Sequence, residues 1–333
     1  MANKTIKAII SGIGHYVPDY RLTNQDLEKM IDTNDEWITT RTGIKERRIL
    51  KGEKGTSYMA IRAAQEILNQ KNISADEIDL IIMATVTPDM MVPITAAYVQ
   101  KELDAKNCWG FDLNMGCCSF VCAFITAVQF IENGTYKKVL VIGADKMSSI
   151  IDYQDRNTCI IFGDAGAAVL VEPDYSMEVG VVDYMQHLDG EGAQFLTVPG
   201  GGSLYPSSYS TIDQNMHYVH QKGNVVFKYA VKRMGDVTAE ILSKNNLTGE
   251  DLTLFIPHQA NRRIIDSAAK RIGLNDDKVF INIDRYGNTT SASIPLGMYE
   301  AYKQNRIKRK DWILMSAFGA GFSWGSVLLR WAF

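Results

Sequence analysis

The chain has 333 residues, 22% of them charged, and a formal net charge of −3 at pH 7. That length can bury a large core and hold two domains, or one domain built from two halves. The charge balance gives no global reason to expect nucleic acid or an anionic membrane as a partner. The opening MANKTIKAIISGIG lacks the apolar core and cleavage site of a signal peptide. No stretch approaches the roughly 20 apolar residues that cross a bilayer. A soluble cytoplasmic protein is expected, with its five cysteines free of structural disulfides.

The first apolar run enters SGIGHYVP, which begins like a dinucleotide fingerprint. Its third glycine position is Val17, so the fingerprint fails. Apolar residues three and four apart predict a helix over 58–69. NISADEID follows, with Ser74 placed to cap an acidic turn, and DLIIMATV reads as a short buried parallel strand. CWGFDLN reads as a strand, MGCCS as a small-residue elbow, and FVCAFITAVQFIENG as an apolar helix closed by Asn133-Gly134. KVLVIGA is a strand, followed by a Phe-Gly turn and the strand-like FGDAGAAVLVE. Residues 176–225, which include VPGGGSLYPSSYS, read as a loop or insertion. A helix is predicted over 226–244, then NLTGEDLTLFI with Thr248 as cap, then PHQANRR, DRYGNTTSASIPLG, DWILMSA and FGAGFSWGSVLLR.

Two of these stretches repeat. NISADEIDLII and NLTGEDLTLFI align without gaps at an offset of 174 (246 minus 72), and KVLVIGA matches DWILMSA at 173 (311 minus 138). A Phe-Gly turn and another strand follow each member of the second pair. Two halves with one order of elements are expected, in α/β layers with mostly parallel sheets.

Three cysteines, Cys117, Cys118 and Cys122, fall in or just after the elbow. There is no CxxC pair and no matching Cys or His cluster, so no metal site is expected. Cys108, Cys122 and Cys159 are expected to be buried. A thiol at the elbow sits where unpaired N–H groups and the helix dipole collect, a setting expected to lower its pKa. Two other places stand out. His258 follows directly on a strand, and Asn288 lies in DRYGNTTSASIPLG, which resembles the cysteine elbow. A lone His or Asn is ordinarily structural. Cys, His and Asn at corresponding points of a two-half fold fit a shared site.

With these residues in hand, the chain resembles the β-ketoacyl-acyl carrier protein synthase III family, nearly end to end. The motifs are TNDEWITTRTGIKERRI, DRNTCIIFGDAGAAV, PHQANRR, YGNTTSASIP and AFGAGFSWGS, in that order. The resemblance implies a thiolase-like fold, with two duplicated βαβαβαββ halves forming a five-layer αβαβα sandwich. Residues 1–175 would carry the nucleophile and residues 176–333 the His and Asn. The family's nucleophile lies five residues after an Asp, which selects Cys117 after Asp112. Cys118 and Ser119 stand where the family has a small residue and Gly.

The implied chemistry begins with an acyl group passing from acyl-CoA to Cys117, with the N–H groups of Cys117 and Ala320 as oxyanion hole. Decarboxylative condensation with malonyl-acyl carrier protein (malonyl-ACP) would follow, assisted by His258 and Asn288. The resemblance places CoA at Trp37, Arg41, Arg156 and Asn261, and carrier-protein docking at Lys228, Arg263, Lys270 and Arg271. It puts Val92 at the acyl-pocket gate, where the family has a Phe that crosses a dimer interface. A homodimer without cofactor is implied. Competing readings are a secondary-metabolism relative on the same fold and a cysteine hydrolase, although the CGSCW-type signature of papain-like proteases is absent.

Overall fold

The computed structural model describes residues 5–333. In the first half, β1 (Lys7–Tyr16) leads through α1 (Asp35–Thr42) and α2 (Thr56–Lys71) to β2 (Leu80–Ala84). Then come α3 (Thr95–Glu102), β3 (Trp109–Leu113), α4 (Ser119–Glu132), β4 (Val139–Asp145) and β5 (Ala165–Asp174). The second half runs β6 (Gly180–Leu188), α5 (Gly223–Lys244), β7 (Leu254–Pro257), α6 (Arg262–Arg271), α7 (Ser293–Lys303), β8 (Trp312–Gly319) and β9 (Ser323–Arg330).

One sheet has the order β1-β5-β4-β2-β3 and the other β7-β8-β9-β6. The apolar runs are continuous because both faces of each sheet are covered. Along β2, Leu80 and Ile82 point into the central core, while Ile81 and Met83 face the outer helices. The central core holds Phe120, Phe124 and Val128 of α4 and Ile294 and Met298 of α7, with strand residues of both sheets. Ala60, Ile67 and Val99 of α2 and α3 cover one outer face. Met234, Ile241 and Ile265 of α5 and α6 cover the other. The layers are therefore αβαβα, the sandwich expected of a thiolase-like fold.

Two expectations need correcting. The sheets are mixed, not mostly parallel: β4-β2, β2-β3 and β7-β8 are parallel, whereas β1-β5, β5-β4, β8-β9 and β9-β6 are antiparallel. No α-helix crosses between β4 and β5, which are joined through a single 3₁₀ turn (Met147–Ile150), or between β8 and β9, so each pair closes antiparallel. Secondly, 176–225 is not all insertion. Residues 180–188 form β6, the counterpart of β1, whose polar Asp183, Gln186 and His187 break the apolar run. The counterpart of β3 shrinks to an isolated parallel bridge between Phe255 and Val279.

The repeated landmarks have a local cause. Asn72 and Asn246 both adopt left-handed backbone, at φ 52° and 55°, which asparagine tolerates better than most residues. Ser74 and Thr248 each form a capping box on the 3₁₀ turn that follows. Gly134, at φ 78°, turns the chain out of α4.

A smaller cluster packs Ile38 of α1 with Leu22, Ile49, Met147, Cys159, Phe162, Val219 and Ile283. Beside it lies Arg47, fully buried, whose guanidinium donates to the Leu22 and Ile160 carbonyls and to Asn24 Oδ1. Burial lowers its pKa to about 10, so it is charged at neutral pH. Arg47→Leu leaves the Ile160 carbonyl and Asn24 Oδ1 without their donor. It is expected to lower stability by about 3 kcal/mol, measured as a lower urea midpoint. Among the described residues no helix is long and apolar enough to cross a membrane.

Candidate active site

Cys117 sits at the turn from β3 into α4. Gly116, at φ 57°, sets the turn, and a Cβ there would meet the Ala320 nitrogen at 2.7 Å. Opposite lies Gly319, where an added Cβ would approach the Cys117 nitrogen to 2.5 Å. The β8–β9 turn thus packs directly on the elbow. Neither the Cys117 nor the Ala320 N–H donates to an acceptor on another of the described residues, and the Cys117 N–H points at its own sulfur. Two such N–H groups beside the thiol fit the expected oxyanion hole.

The two departures at the elbow have structural answers. Cys118 is fully buried, and its Sγ donates to the Ser323 carbonyl at 3.2 Å, so it faces away from the cavities. Ser119 braces the turn: it accepts from the Met115 N–H at 2.8 Å and donates to the Gly116 carbonyl at 2.6 Å. Asp112, which served in the sequence only as a ruler, accepts from the N–H groups of Thr95 and Ala96 and caps α3. All five cysteines are free. Cys159 is buried as expected, but Cys108 and Cys122 are only partly so. Cys108 precedes the edge strand β3, and Cys122 lies on the less covered stripe of α4 with Ile125 and Thr126.

His258 follows β7, is 1% exposed, and has no hydrogen-bond partner on either ring nitrogen. Burial pushes its pKa down to about 3, so the ring is neutral. Its neighbour Gln259 holds the segment by donating to the Pro257 and Phe280 carbonyls and accepting from the Asn282 and Ile283 N–H groups. Asn288 is also buried. Its Oδ1 accepts from the Thr290 N–H at 2.9 Å, which leaves the amide NH₂ for the Cys117 side chain.

The elbow's expected effect on the thiol is reversed. Burial, followed by the negative charge of Asp145, pushes the Cys117 pKa up to about 12, against a smaller lowering by Asn288. Desolvation is the largest cause. In the free protein, alkylation of Cys117 by iodoacetamide is therefore expected to rise about tenfold per pH unit between about pH 7 and 10 without a plateau. A plateau near pH 8 would contradict this.

Two cavities meet at Cys117. One, of about 260 Å³, is lined mainly by Val86, Met147, Ile150, Phe162, Leu196 and Val219. The other, of about 140 Å³, passes His258, Asn288 and Asn261 between α5 and α6. Phe162 and Leu196 line both. The sequence reading missed them; the Phe-Gly turn after KVLVIGA was the one signal for Phe162.

The structure brings most of the remaining candidates together. The guanidinium groups of Arg41 and Arg156 lie 4.9 and 4.6 Å from the Trp37 ring centre. That spacing leaves no room for a ring between Trp37 and Arg156, which also pairs with Asp32 at 3.6 Å. Asn261 caps α6 through the Arg263 N–H and donates to the Arg41 carbonyl. Lys228, Arg263, Lys270 and Arg271 are exposed on the packed helices α5 and α6. Arg263 stacks on Phe227 and Arg271 pairs with Asp236. Lys232, which the sequence reading omitted, shares a groove with Lys270 and Arg271. Val92 stands apart at 79% exposure and lines neither cavity of its own chain.

The sequence pattern of 3-oxoacyl-[acyl-carrier-protein (ACP)] synthase III matches residues 111–190, and that of its C terminal matches residues 242–331. The β-ketoacyl-[acyl-carrier-protein] synthase III of Chlorobaculum tepidum is 51% identical over 98% of this chain and 100% of that protein. The crystal structure of 3-oxoacyl-[acyl-carrier-protein] synthase III from Aquifex aeolicus VF5 superposes with a TM-score of 0.89 at 44% identity, covering 97% of this chain and 100% of that one. The priming β-ketosynthase of the R1128 polyketide biosynthetic pathway gives a TM-score of 0.89 at 31% identity, over 98% of this chain and 96% of that one. On this end-to-end likeness, the chain belongs to the β-ketoacyl-[acyl-carrier-protein] synthase III family.

Proposed function

We propose that the protein condenses an acyl-CoA starter with malonyl-ACP through an acyl-Cys117 intermediate, initiating fatty acid synthesis. The observation that carries this reading is the meeting of two cavities at Cys117, one of them lined by His258 and Asn288. Cys117 sulfur attacks the acyl-CoA thioester, and its proton ends on the departing CoA thiol. The Cys117 and Ala320 N–H groups hold the oxyanion. Malonyl-ACP then occupies the His258 side, where neutral His258 and the Asn288 amide donate to the malonyl thioester oxygen. Carbon dioxide leaves, the enolate carbon attacks the acyl-Cys117 carbonyl, and Cys117 departs as thiolate. No cofactor enters this sequence. A neutral imidazole suits the step, since it donates a hydrogen bond without delivering a full positive charge or a labile proton.

In this reading residues 1–175 supply the nucleophile and 176–333 the His and Asn, and the protein works in the cytoplasm. Trp37 and Arg156 sandwich the CoA adenine once Arg156 swings off the ring, with Arg41 and Asn261 along the tunnel. Lys228, Arg263, Lys270 and Arg271 dock the acidic carrier protein. Arg263→Glu is expected to raise the carrier protein's KM about tenfold, with the gap narrowing as salt rises. An unchanged KM would remove Arg263 from the docking face. A homodimer is supported by the free edge of β3 and by exposed Met91 and Val92. There Val92 would gate the partner's acyl cavity, and its small side chain would admit starters longer or more branched than acetyl. Val92→Phe should then favour acetyl-CoA over hexanoyl-CoA; an unaltered preference would exclude that role.

The overall test is to mix the protein with acetyl-, isobutyryl- or hexanoyl-CoA and malonyl-ACP and weigh the products. A β-ketoacyl-ACP is expected. Free carboxylic acid and CoA without condensation would support the cysteine-hydrolase reading instead. The likeness to a polyketide priming enzyme favours a second reading, in secondary metabolism, that the preferred starter would separate.

A further inference from the structure

The fold contains a second elbow. At the offset of 174, Ser291 stands for Cys117, Thr290 for Gly116 and Asn288 for Asn114. The backbone copies closely. Gly116 and Thr290 both adopt positive φ, at 57° and 50°. The Gly116 N–H donates to Asn114 Oδ1 at 3.2 Å, as the Thr290 N–H donates to Asn288 Oδ1 at 2.9 Å. A β-branched residue at positive φ is strained and persists only where its surroundings hold it.

The elbows differ in what their N–H groups meet. The Cys117 N–H meets no acceptor on another residue, whereas the Ser291 N–H donates to Asp145 Oδ2 at 2.8 Å. Asp145 closes β4 and is fully buried. Its Oδ1 accepts from the Val86 N–H at 2.7 Å, the Thr85 hydroxyl at 2.9 Å, and the Thr87 N–H and hydroxyl at 3.2 Å each. All these donors are N–H groups or hydroxyls, with no cation among them. Gly143 lets the second elbow reach β4, since a Cβ there would collide with the Ser291 carbonyl. One carboxylate therefore ties the end of β4 to Val86, a wall of the acyl cavity, and to the turn that orients Asn288.

We propose that Asp145 is a positioning residue for the condensation step: its carboxylate fills, at the second elbow, the place an oxyanion takes at the first, and so fixes the Asn288 amide through Thr290. The inference rests on the proposed role of Asn288. A carboxylate only accepts, and each oxygen of Asp145 faces a main-chain N–H. An amide in its place turns its NH₂ onto either Ser291 or the Val86 and Thr87 N–H groups, so neither orientation satisfies the site.

The test is Asp145→Asn, with the two half-reactions measured separately. Acyl transfer from acetyl-CoA to Cys117 is expected not to fall, and to rise as far as loss of the Asp145 charge lowers the Cys117 pKa. Decarboxylation of malonyl-ACP is expected to fall at least about twentyfold. In an Asn288→Ala background, Asp145→Asn should cost less than about twofold more, because both act through one amide. A parallel fall in both half-reactions, or full additivity with Asn288→Ala, would overturn the proposal and make Asp145 a structural brace. Should Asp145→Asn not fold, Thr85→Val removes one donor to Oδ1. It should then show the same split at smaller size; no split would also overturn the proposal. Failure of the unsubstituted protein to acylate Cys117 would be a different result, overturning the active-site reading and this inference with it.

Discussion

Cys117→Ala is expected to abolish acyl transfer from acyl-CoA, a fall of at least about 10⁴-fold, because no other group at the cavity junction can form the thioester. Cys118→Ala is expected to stay within about threefold. The two thiols are adjacent in sequence but differently placed. Cys117 lines both cavities and lies beside the two N–H groups that meet no acceptor on another residue. Cys118 is sealed behind the elbow on the Ser323 carbonyl, with burial pushing its pKa well above the usual thiol range. Malonyl decarboxylation should survive Cys117→Ala, since His258 and Asn288 remain. Its loss would mean that the nucleophile also takes part in forming the enolate.

The second large effect is the reverse. His258→Ala and Asn288→Ala should each lower condensation about 10²- to 10³-fold, the size expected for removing one donor from a developing oxyanion. Acylation of Cys117 should change no more than about fivefold, because its oxyanion is held by backbone N–H groups at another point. Single-turnover acylation and malonyl decarboxylation, run on the same variants, check the split. His258 has no partner on either nitrogen, so replacing it removes no hydrogen bond within the fold. Equal loss of both half-reactions in His258→Ala would assign the imidazole to Cys117 as its base.

Much of this was legible in the sequence because the relevant causes are local. Asn72 and Asn246 mark the repeat because each turn needs left-handed backbone. Continuous apolar runs mark strands covered on both faces. MGCCS reads as an elbow because Gly116 is small enough for the Ala320 nitrogen to approach. Strand direction was not legible: a four-residue apolar run such as Leu254–Pro257 looks alike either way, and only the connection decides. Residues 180–188 were missed because three polar side chains hide the strand.

The titration of Cys117 came out reversed for a related reason. Helix placement can be read from spacing, but desolvation and the charge of Asp145 depend on how distant segments pack. Asp145 itself gave no signal, since an acid at the end of GAD is ordinarily exposed; its five donors come from residues 85–87 and 291. Val92 was read through a partner subunit, and its own chain places it away from either cavity.

The most direct measurement is peptide mass mapping of the protein after brief exposure to acetyl-, isobutyryl- and hexanoyl-CoA. The predicted result is one acyl group on Cys117, discharged on adding malonyl-ACP with release of carbon dioxide and formation of β-ketoacyl-ACP. An acyl group on Cys118, or none with any donor, would contradict the assignment of Cys117 as the residue that carries the starter.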